Sequence, residues 1–323
     1  MRTITLEEHY ATPGFLSGPG RSFVERAATA GDRMSRILEQ VRDVGAARIA
    51  EMDAAGIDVQ MLSLNSPGVE QLDAAEAEVM AREANDFVAH AAKAYPARFS
   101  GFAALPIADP AKAADELART VREYAFKGAL INGHHRGRYL DDIFFWPILE
   151  RAESLGVPVY IHPTQPPQPV VEASYAGFSP AVTFMFANAG WGWHIETAVH
   201  VLRMILGGVF DRYPSLQIIV GHMGEALPFM LSRVDIMTTS ITGLKRPISA
   251  YLRENVHYTF SGFNFTPTFL DLLLQVGVDR IMFSADYPYG SMIQARTFLD
   301  HLPVSAADRE RIAHGNAERL LGL

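Results

Sequence analysis

The chain has 323 residues, 49% hydrophobic and 20% charged, the composition of a folded globular protein with enough length for a sizeable core. A net charge of -8, with no basic run beyond pairs such as Lys245-Arg246, argues against a nucleic-acid partner, and no stretch approaches the roughly eighteen apolar residues of a membrane span. Zero cysteines exclude disulfides, thiolate ligands and a cysteine nucleophile, so any metal must be held by nitrogen and oxygen.

The first apolar run, Thr3 to Glu8, reads as a strand, and the segment from Ala11 to about Val44 is an insertion behind it. A strand at Val59 to Leu64 precedes a helical stretch from Ala74 to Ala94, whose alanines are interspersed with Glu78, Arg82, Glu83, Asp86 and Lys93. Strands at Phe99 to Leu105 and Gly128 to Asn132 flank a helix at Ala111 to Tyr124, and a helix at Phe145 to Leu155 leads into the strand Pro158 to His162. A proline-rich insertion, Pro163 to about Ala189, comes next. Strands at Gln217 to His222, Val256 to Ser261 and Arg280 to Asp286 complete the series, with a helix at Thr266 to Val276 between the last two. Eight strands alternating with helices imply an α/β chain folded as a (β/α)8 TIM barrel, with a doubly wound open sheet as the alternative. No domain boundary interrupts the pattern, so residues 1–323 read as a single domain. The two insertions follow strands 1 and 5, on the face where barrels keep their chemistry, and read as pocket walls or lids; for Pro163-Thr164-Gln165-Pro166-Pro167 the plainer reading is a stiff surface loop.

Four strands end in ligand-type residues: Leu6-Glu7-Glu8-His9, Tyr160-Ile161-His162, Val220-Gly221-His222 and Ser284-Ala285-Asp286. Alternation puts Glu7 and His9 on one face of the first strand and Glu8 on the other. A lone histidine in an apolar run is usually a hydrogen-bonded core residue, but strands of one barrel end at one rim, so Glu7, His9, His162, His222 and Asp286 are expected to converge. Imidazoles and carboxylates make a nitrogen and oxygen set for one Zn, Mn or Fe(II) ion, and the residues alone do not choose among them. A two-metal site would need a bridging side chain from the middle strands, where Ala129-Leu130-Ile131-Asn132 ends in asparagine. His222 is placed in a second role, acid-base or substrate contact, because Gly221-His222-Met223-Gly224-Glu225 supplies a carboxylate that could orient the ring; Glu225 serving only as an early-turn acid of the next helix stays open.

The chain resembles the amidohydrolase-related metal-dependent decarboxylases, and among them the γ-resorcylate (2,6-dihydroxybenzoate) and related hydroxybenzoate decarboxylases. The resemblance is carried by Leu6-Glu7-Glu8-His9, Met52-Asp53-Ala54-Ala55-Gly56-Ile57, Leu62-Ser63-Leu64-Asn65, Phe102-Ala103-Ala104-Leu105-Pro106, Glu196-Thr197-Ala198-Val199-His200, Gly221-His222-Met223-Gly224-Glu225 and Arg280-Ile281-Met282-Phe283-Ser284-Ala285-Asp286. Glu-x-His is its more specific part, since hydrolases of the wider superfamily generally open with His-x-His. The resemblance implies Glu7, His9, His162 and Asp286 as ligands of one divalent metal ion, Zn2+ or Mn2+. It implies His222 and Glu225 as a catalytic pair beside Asp286, and Phe23, Trp191 and Arg233 as substrate-pocket residues, Phe23 after a one-residue gap. The chain departs from the family pattern it resembles at Tyr287-Pro288, where the family has a tryptophan before the proline, and at Ile236-Met237, where the family has a basic residue soon after the Arg233 motif.

The implied activity is non-oxidative decarboxylation of an ortho-hydroxybenzoate such as γ-resorcylate or 2,3-dihydroxybenzoate, by ring protonation and then CO2 loss. The alternative keeps the metal but has it activate water against a lactone, ester or amide. A barrel that has lost activity and serves as a binding protein is a third reading, against which the intact ligand set argues. The expected partner is a small aromatic carboxylic acid, with no membrane partner, in a homodimer or homotetramer. MRTITLEEH lacks the plan of a signal peptide, so the cytoplasm is the expected location. The loop His134-His135-Arg136-Gly137-Arg138-Tyr139 reads as a solvated basic loop, and His194 as a helix-start histidine.

Overall fold

A computed structural model describes all of residues 1–323. Its strands are β1 (Ile4–Tyr10), β2 (Val59–Leu64), β3 (Phe99–Gly101), β4 (Ala129–Asn132), β5 (Val159–His162), β6 (Ile218–Val220), β7 (Val256–Thr259) and β8 (Ile281–Met282). They pair in parallel and in chain order as two arcs, β1-β2-β3 and β4 through β8, and single parallel bridges, Ala103 to Ala129 and Glu8 to Tyr287, join the arcs at both seams. With helices between the strands, this is the expected (β/α)8 barrel. Alternate strand residues Ile4, Leu6, Met61, Leu130, Tyr160, Ile219 and Met282 form a small buried cluster with Phe102 and with Ala317 and Leu321 of the terminal helix Asn316–Leu321. The large core, from Tyr10 to Ala313, lies between the opposite strand faces and the helices.

The helices Ala74–Ala94 and Thr266–Val276 have the bounds their patterns predict. The strands differ at their ends. The apolar runs to Leu105, His222 and Asp286 continue past the ladders, which stop at Gly101, Val220 and Met282. After β8 the backbone finds other partners: Phe283 N–H donates to Ile312 O at 3.0 Å, and the N–H groups of Ala285 and Tyr287 donate to the Glu8 carboxylate at 2.9 and 3.2 Å. Both insertions are largely helical, with Pro13–Ser17, Arg21–Ala27 and Asp32–Arg42 in the first, and Gln168–Ser174 and Pro180–Ala187 in the second. No helix is long and apolar enough to cross a membrane.

One irregularity in β1 sets up the site. Thr5 lies opposite Gln60 and Glu8 opposite Leu62, so two residues, Leu6 and Glu7, face the single residue Met61. This β-bulge lets consecutive side chains enter the barrel, which strict alternation forbids. Leu6 joins the interior cluster, and Glu7 reaches Tyr160 and Ser261 across the barrel.

Glu8 closes the β1/β8 seam on the outer side, close to a fully buried arginine. Arg48 donates from Nη1 to His9 O and from Nε to Gln60 Oε1, both at 2.7 Å, and its guanidinium lies 4.6 Å from the Tyr287 ring centre. Burial pushes the Glu8 carboxyl up to about 8 against the pull of the Ala285 N–H and Arg48. The loop after β4 exposes Arg136 and Arg138 to solvent as expected, and departs from the expected solvated loop at its histidines. His134 is buried with Nε2 3.2 Å from Gln165 O, and His135 Nδ1 lies 2.6 Å from Glu70 O, so the loop is tied to those following β5 and β2. Glu70, also buried, accepts from Asn132 N at 2.7 Å, and burial raises its carboxyl to about 7.

Replacing Arg48 with methionine should cost about 3–5 kcal/mol in urea unfolding, because it strands the seam's buried acceptors; a loss under about 1 kcal/mol would mean that the seam closes without it. The raised Glu70 pKa means that the folded state holds this proton more tightly than the unfolded chain. Its stabilisation is complete below about pH 4.5 and is lost as pH rises through about 7, on the order of 3 kcal/mol in all. Urea unfolding from pH 5 to 8 should therefore show wild type losing stability relative to Glu70→Gln, and parallel profiles would contradict this.

Candidate active site

The β1 bulge delivers Glu7 to the C-terminal mouth of the barrel, where it is fully buried. Its Oε2 accepts from the Tyr160 hydroxyl and from Ser261 Oγ, the latter at 2.5 Å; Thr259 Oγ1 lies 2.7 Å from each of these hydroxyl oxygens. Oε2 is thereby committed to two donors. Oε1 has no hydrogen-bond partner, although it is buried. It faces three imidazole nitrogens instead: His162 Nε2 at 3.3 Å, His222 Nε2 at 3.7 Å and His9 Nε2 at 4.0 Å. Asp286 Oδ1 completes the group, 3.2 Å from His9 Nε2.

Backbone geometry at the strand ends makes this convergence possible. Gly221 leaves room for the carboxylate, since a Cβ there would meet Glu7 Oε2 at 2.4 Å. His222, Ser261 and Asp286, just beyond β6, β7 and β8, have φ of 49°, 41° and 61°. Left-handed backbone costs a non-glycine residue about 1–3 kcal/mol, and such strain clusters at functional sites because it aims side chains that regular strand would not.

Two kinds of histidine result. Burial is the dominant influence on His9 and His162 and outweighs the attraction of Glu7, lowering His9 to about 4 and His162 likewise below its ordinary value. Both are neutral imidazoles near pH 7, the state a metal requires. For His222 burial acts the same way but loses to Glu225 and Glu7, which raise it to about 10. Glu7, despite burial, is held well below the usual carboxylate range by His222 and His162. Burial and the neighbouring Glu7 charge push Asp286 up to about 8.

An unshared carboxylate oxygen, neutral imidazoles and a second carboxylate, separated by 3.2 to 4.0 Å, suit a single divalent cation: bonds of about 2.0–2.2 Å place neighbouring ligand atoms about 3 Å or more apart. A second cluster has a different character. Glu225 is buried, with Oε1 2.7 Å from His222 Nδ1 and Oε2 2.5 Å from His194 Nδ1. These are hydrogen-bond distances, so protons bridge this cluster rather than a metal.

The structure thus brings Glu7, His9, His162, His222, Glu225 and Asp286 together. Phe23 is buried and reaches them through Tyr289, whose ring lies 6.4 Å from Phe23 and 5.6 Å from His9. Trp191, 52% exposed, precedes the helix Gly192–Leu206, and Arg233 is exposed in the last turn of the helix Leu227–Val234. Sequence reasoning missed Tyr160, Thr259, Ser261, Tyr289 and the part played by His194. A signal existed for three of them: Tyr160 precedes His162 by two residues, and Thr259 and Ser261 are similarly spaced at the end of the seventh apolar run, so their side chains point into the same barrel.

The γ-resorcylate decarboxylase of Polaromonas sp. (strain JS666 / ATCC BAA-500) is 39% identical over 333 residues, spanning 99% of this chain and 98% of that one. The crystal structure of the dihydroxybenzoic acid decarboxylase from Polaromonas sp. JS666, with bound manganese and the inhibitor 2-nitroresorcinol, superposes with a TM-score of 0.91 at 38% identity and covers 100% of this chain and 97% of that one. The 5-carboxyvanillate decarboxylase of Novosphingobium aromaticivorans DSM 12444, complexed with manganese and 4-hydroxy-3-methoxy-5-nitrobenzoic acid, has a TM-score of 0.91 at 37% identity, covering 100% and 96%. The amidohydrolase family model matches residues 39–323. With that match and relatives of this identity along its whole length, the chain belongs to the amidohydrolase family.

Proposed function

We propose that this protein is a metal-dependent carboxy-lyase that removes CO2 without oxidation from an ortho-hydroxybenzoate of the γ-resorcylate or 2,3-dihydroxybenzoate type, with residues 1–323 as one catalytic unit. The observation that carries the reading is the unshared, buried Oε1 of Glu7 among imidazoles, in a chain similar end to end to hydroxybenzoate decarboxylases. The compounds named for those relatives, γ-resorcylate and 5-carboxyvanillate, both carry a hydroxyl ortho to a carboxylate.

The chemistry explains that requirement. Direct loss of CO2 from a benzoate leaves an aryl carbanion in the ring plane, beyond support from the π system. If the ring carbon bearing the carboxylate is protonated first, an ortho oxygen supports the step, and loss of CO2 restores aromaticity. Glu7, His9, His162 and Asp286 would hold one divalent ion, Zn2+ or Mn2+, which when bound supplies Lewis-acid polarisation of the substrate carboxylate and ortho oxygen. Asp286, whose Oδ1 lies 3.2 Å from His9 Nε2 at the edge of the ligand group, would take the phenolic proton and pass it to the ring carbon. His222 presents a charged ring edge to the same space, and Glu225 holds its far nitrogen. Phe23 and Trp191 wall the ring, and Arg233 offsets the substrate's charge. Phe178, Val182 and Met185, each half or more exposed on the insertion after β5, support assembly as a homodimer or homotetramer.

Anaerobic, metal-replete enzyme should release CO2 from 2,6- or 2,3-dihydroxybenzoate but not from 4-hydroxybenzoate, which lacks the ortho hydroxyl. Hydrolysis of lactones or esters with no CO2 from any of these acids would transfer the site to the hydrolase reading. Metal content measured beside turnover separates the histidines. His162→Ala should lose metal and activity together, whereas His222→Asn should keep metal and lose activity by about 10^2-fold or more; equal metal loss in the two variants would overturn the division of roles.

A further inference from the structure

We propose that His194 is a positioning residue for His222, acting through Glu225, and that it couples the orientation of the His222 ring to the insertion that follows β5. The inference deepens the decarboxylase reading above and rests on it for its kinetic part.

Glu225 has two carboxylate oxygens, and each meets one imidazole: Oε1 faces His222 Nδ1 at 2.7 Å, and Oε2 faces His194 Nδ1 at 2.5 Å. Its side chain is fully buried, so no solvent can replace either partner. Without His194 the carboxylate would keep one donor on one oxygen and could rotate about its own bonds. With both, its plane is fixed, and so is the direction in which the His222 ring is held. The rings also touch: His194 and His222 have centroids 4.8 Å apart at 69°, and both pack edge-on against Phe263, at 5.3 and 5.4 Å. His222 is thus boxed by His194 and Phe263, while its Nε2 edge points towards Glu7 Oε1, 3.7 Å away.

The other edge of the His194 ring faces the end of the insertion and the first turn of the helix that follows it. Nε2 accepts from the Trp193 indole N–H at 3.1 Å and lies 3.2 Å from Ala189 O, and the His194 backbone N–H donates to Trp191 O at 3.1 Å. The helix start is therefore made by backbone, and the ring is free for another task. It spans from the close of the insertion, beside the exposed Trp191, to the carboxylate that aims His222. Any displacement of residues 189–193 would reach the His222 ring through one side chain and one carboxylate. His194 need not touch substrate to matter for turnover.

Two variants of the metal-loaded enzyme test this. His194→Phe should retain wild-type metal content and a KM within about 3-fold, while kcat falls about 10- to 100-fold. His194→Gln, whose amide N–H can donate to Glu225, should recover much of the loss. Unchanged kcat in the phenylalanine variant, metal loss in step with activity, or no recovery by glutamine overturns the proposal. Proton NMR of the imidazole N–H region reads the contact without turnover: two resonances from protons held between imidazole and carboxylate are expected in wild type. In His194→Phe one should vanish and the one from His222 should shift, and an unmoved His222 signal counts against the coupling. If wild type releases no CO2 from any hydroxybenzoate, the reaction assignment fails, and the NMR comparison still decides the role of His194.

Discussion

A single buried carboxylate oxygen, Oε1 of Glu7, is the constraint around which the barrel mouth is arranged. An unpaired buried anion is costly, because neither water nor a donor compensates its lost hydration. The chain meets that cost from two directions. Tyr160 and Ser261 occupy Oε2, so the carboxylate cannot turn to share its charge, and the imidazoles of His9, His162 and His222 gather around Oε1. Three local features serve this placement: the β1 bulge, the missing Cβ at Gly221, and the left-handed turns after β6, β7 and β8. Each is unfavourable or unusual alone, and together they aim side chains from separate strands at one point.

The electrostatics then divide the site into two halves. Near His9 and His162 burial dominates and keeps the rings neutral, as ligands must be; near His222 two carboxylates reverse that effect and keep the ring charged. Asp286 stands between them, its acidity weakened by burial and by Glu7. Groups of the same chemical kind whose proton affinities are driven apart by their surroundings are what acid-base chemistry at neutral pH requires. The tight Glu225 hydrogen bonds belong to the charged half, and the wider Glu7 spacings to the half suited to a metal.

The opposite face of the same strand carries stability. Glu8 points away from Glu7 and His9, accepts the backbone N–H groups that β8 leaves unpaired, and stands near Arg48 at the seam. Tyr287 provides the ring beside the Arg48 guanidinium. Leu6-Glu7-Glu8-His9 thus combines three tasks in four residues: filling the barrel, forming the metal-type cluster and closing the sheet.

Local pattern was sufficient for much of this. Period-two alternation and turn residues are short-range properties, so the eight strands, the barrel, the helix Ala74–Ala94 and the ligand types at the strand ends were legible without coordinates. So was Glu225 beside His222, only three residues away. Other features depend on partners far apart in the chain. Ser261 reaches Glu7 across 254 residues and His194 reaches Glu225 across 31, and no short window contains both ends. The bulge escapes for a related reason, since counting residues along β1 does not reveal that two of them face one on β2. Sequence determined which chemical groups stand at the rim, because residue type and period are written locally. Tertiary structure alone decided which oxygen stays unshared and which histidine is charged, because both depend on distances and burial that exist only once the barrel has closed.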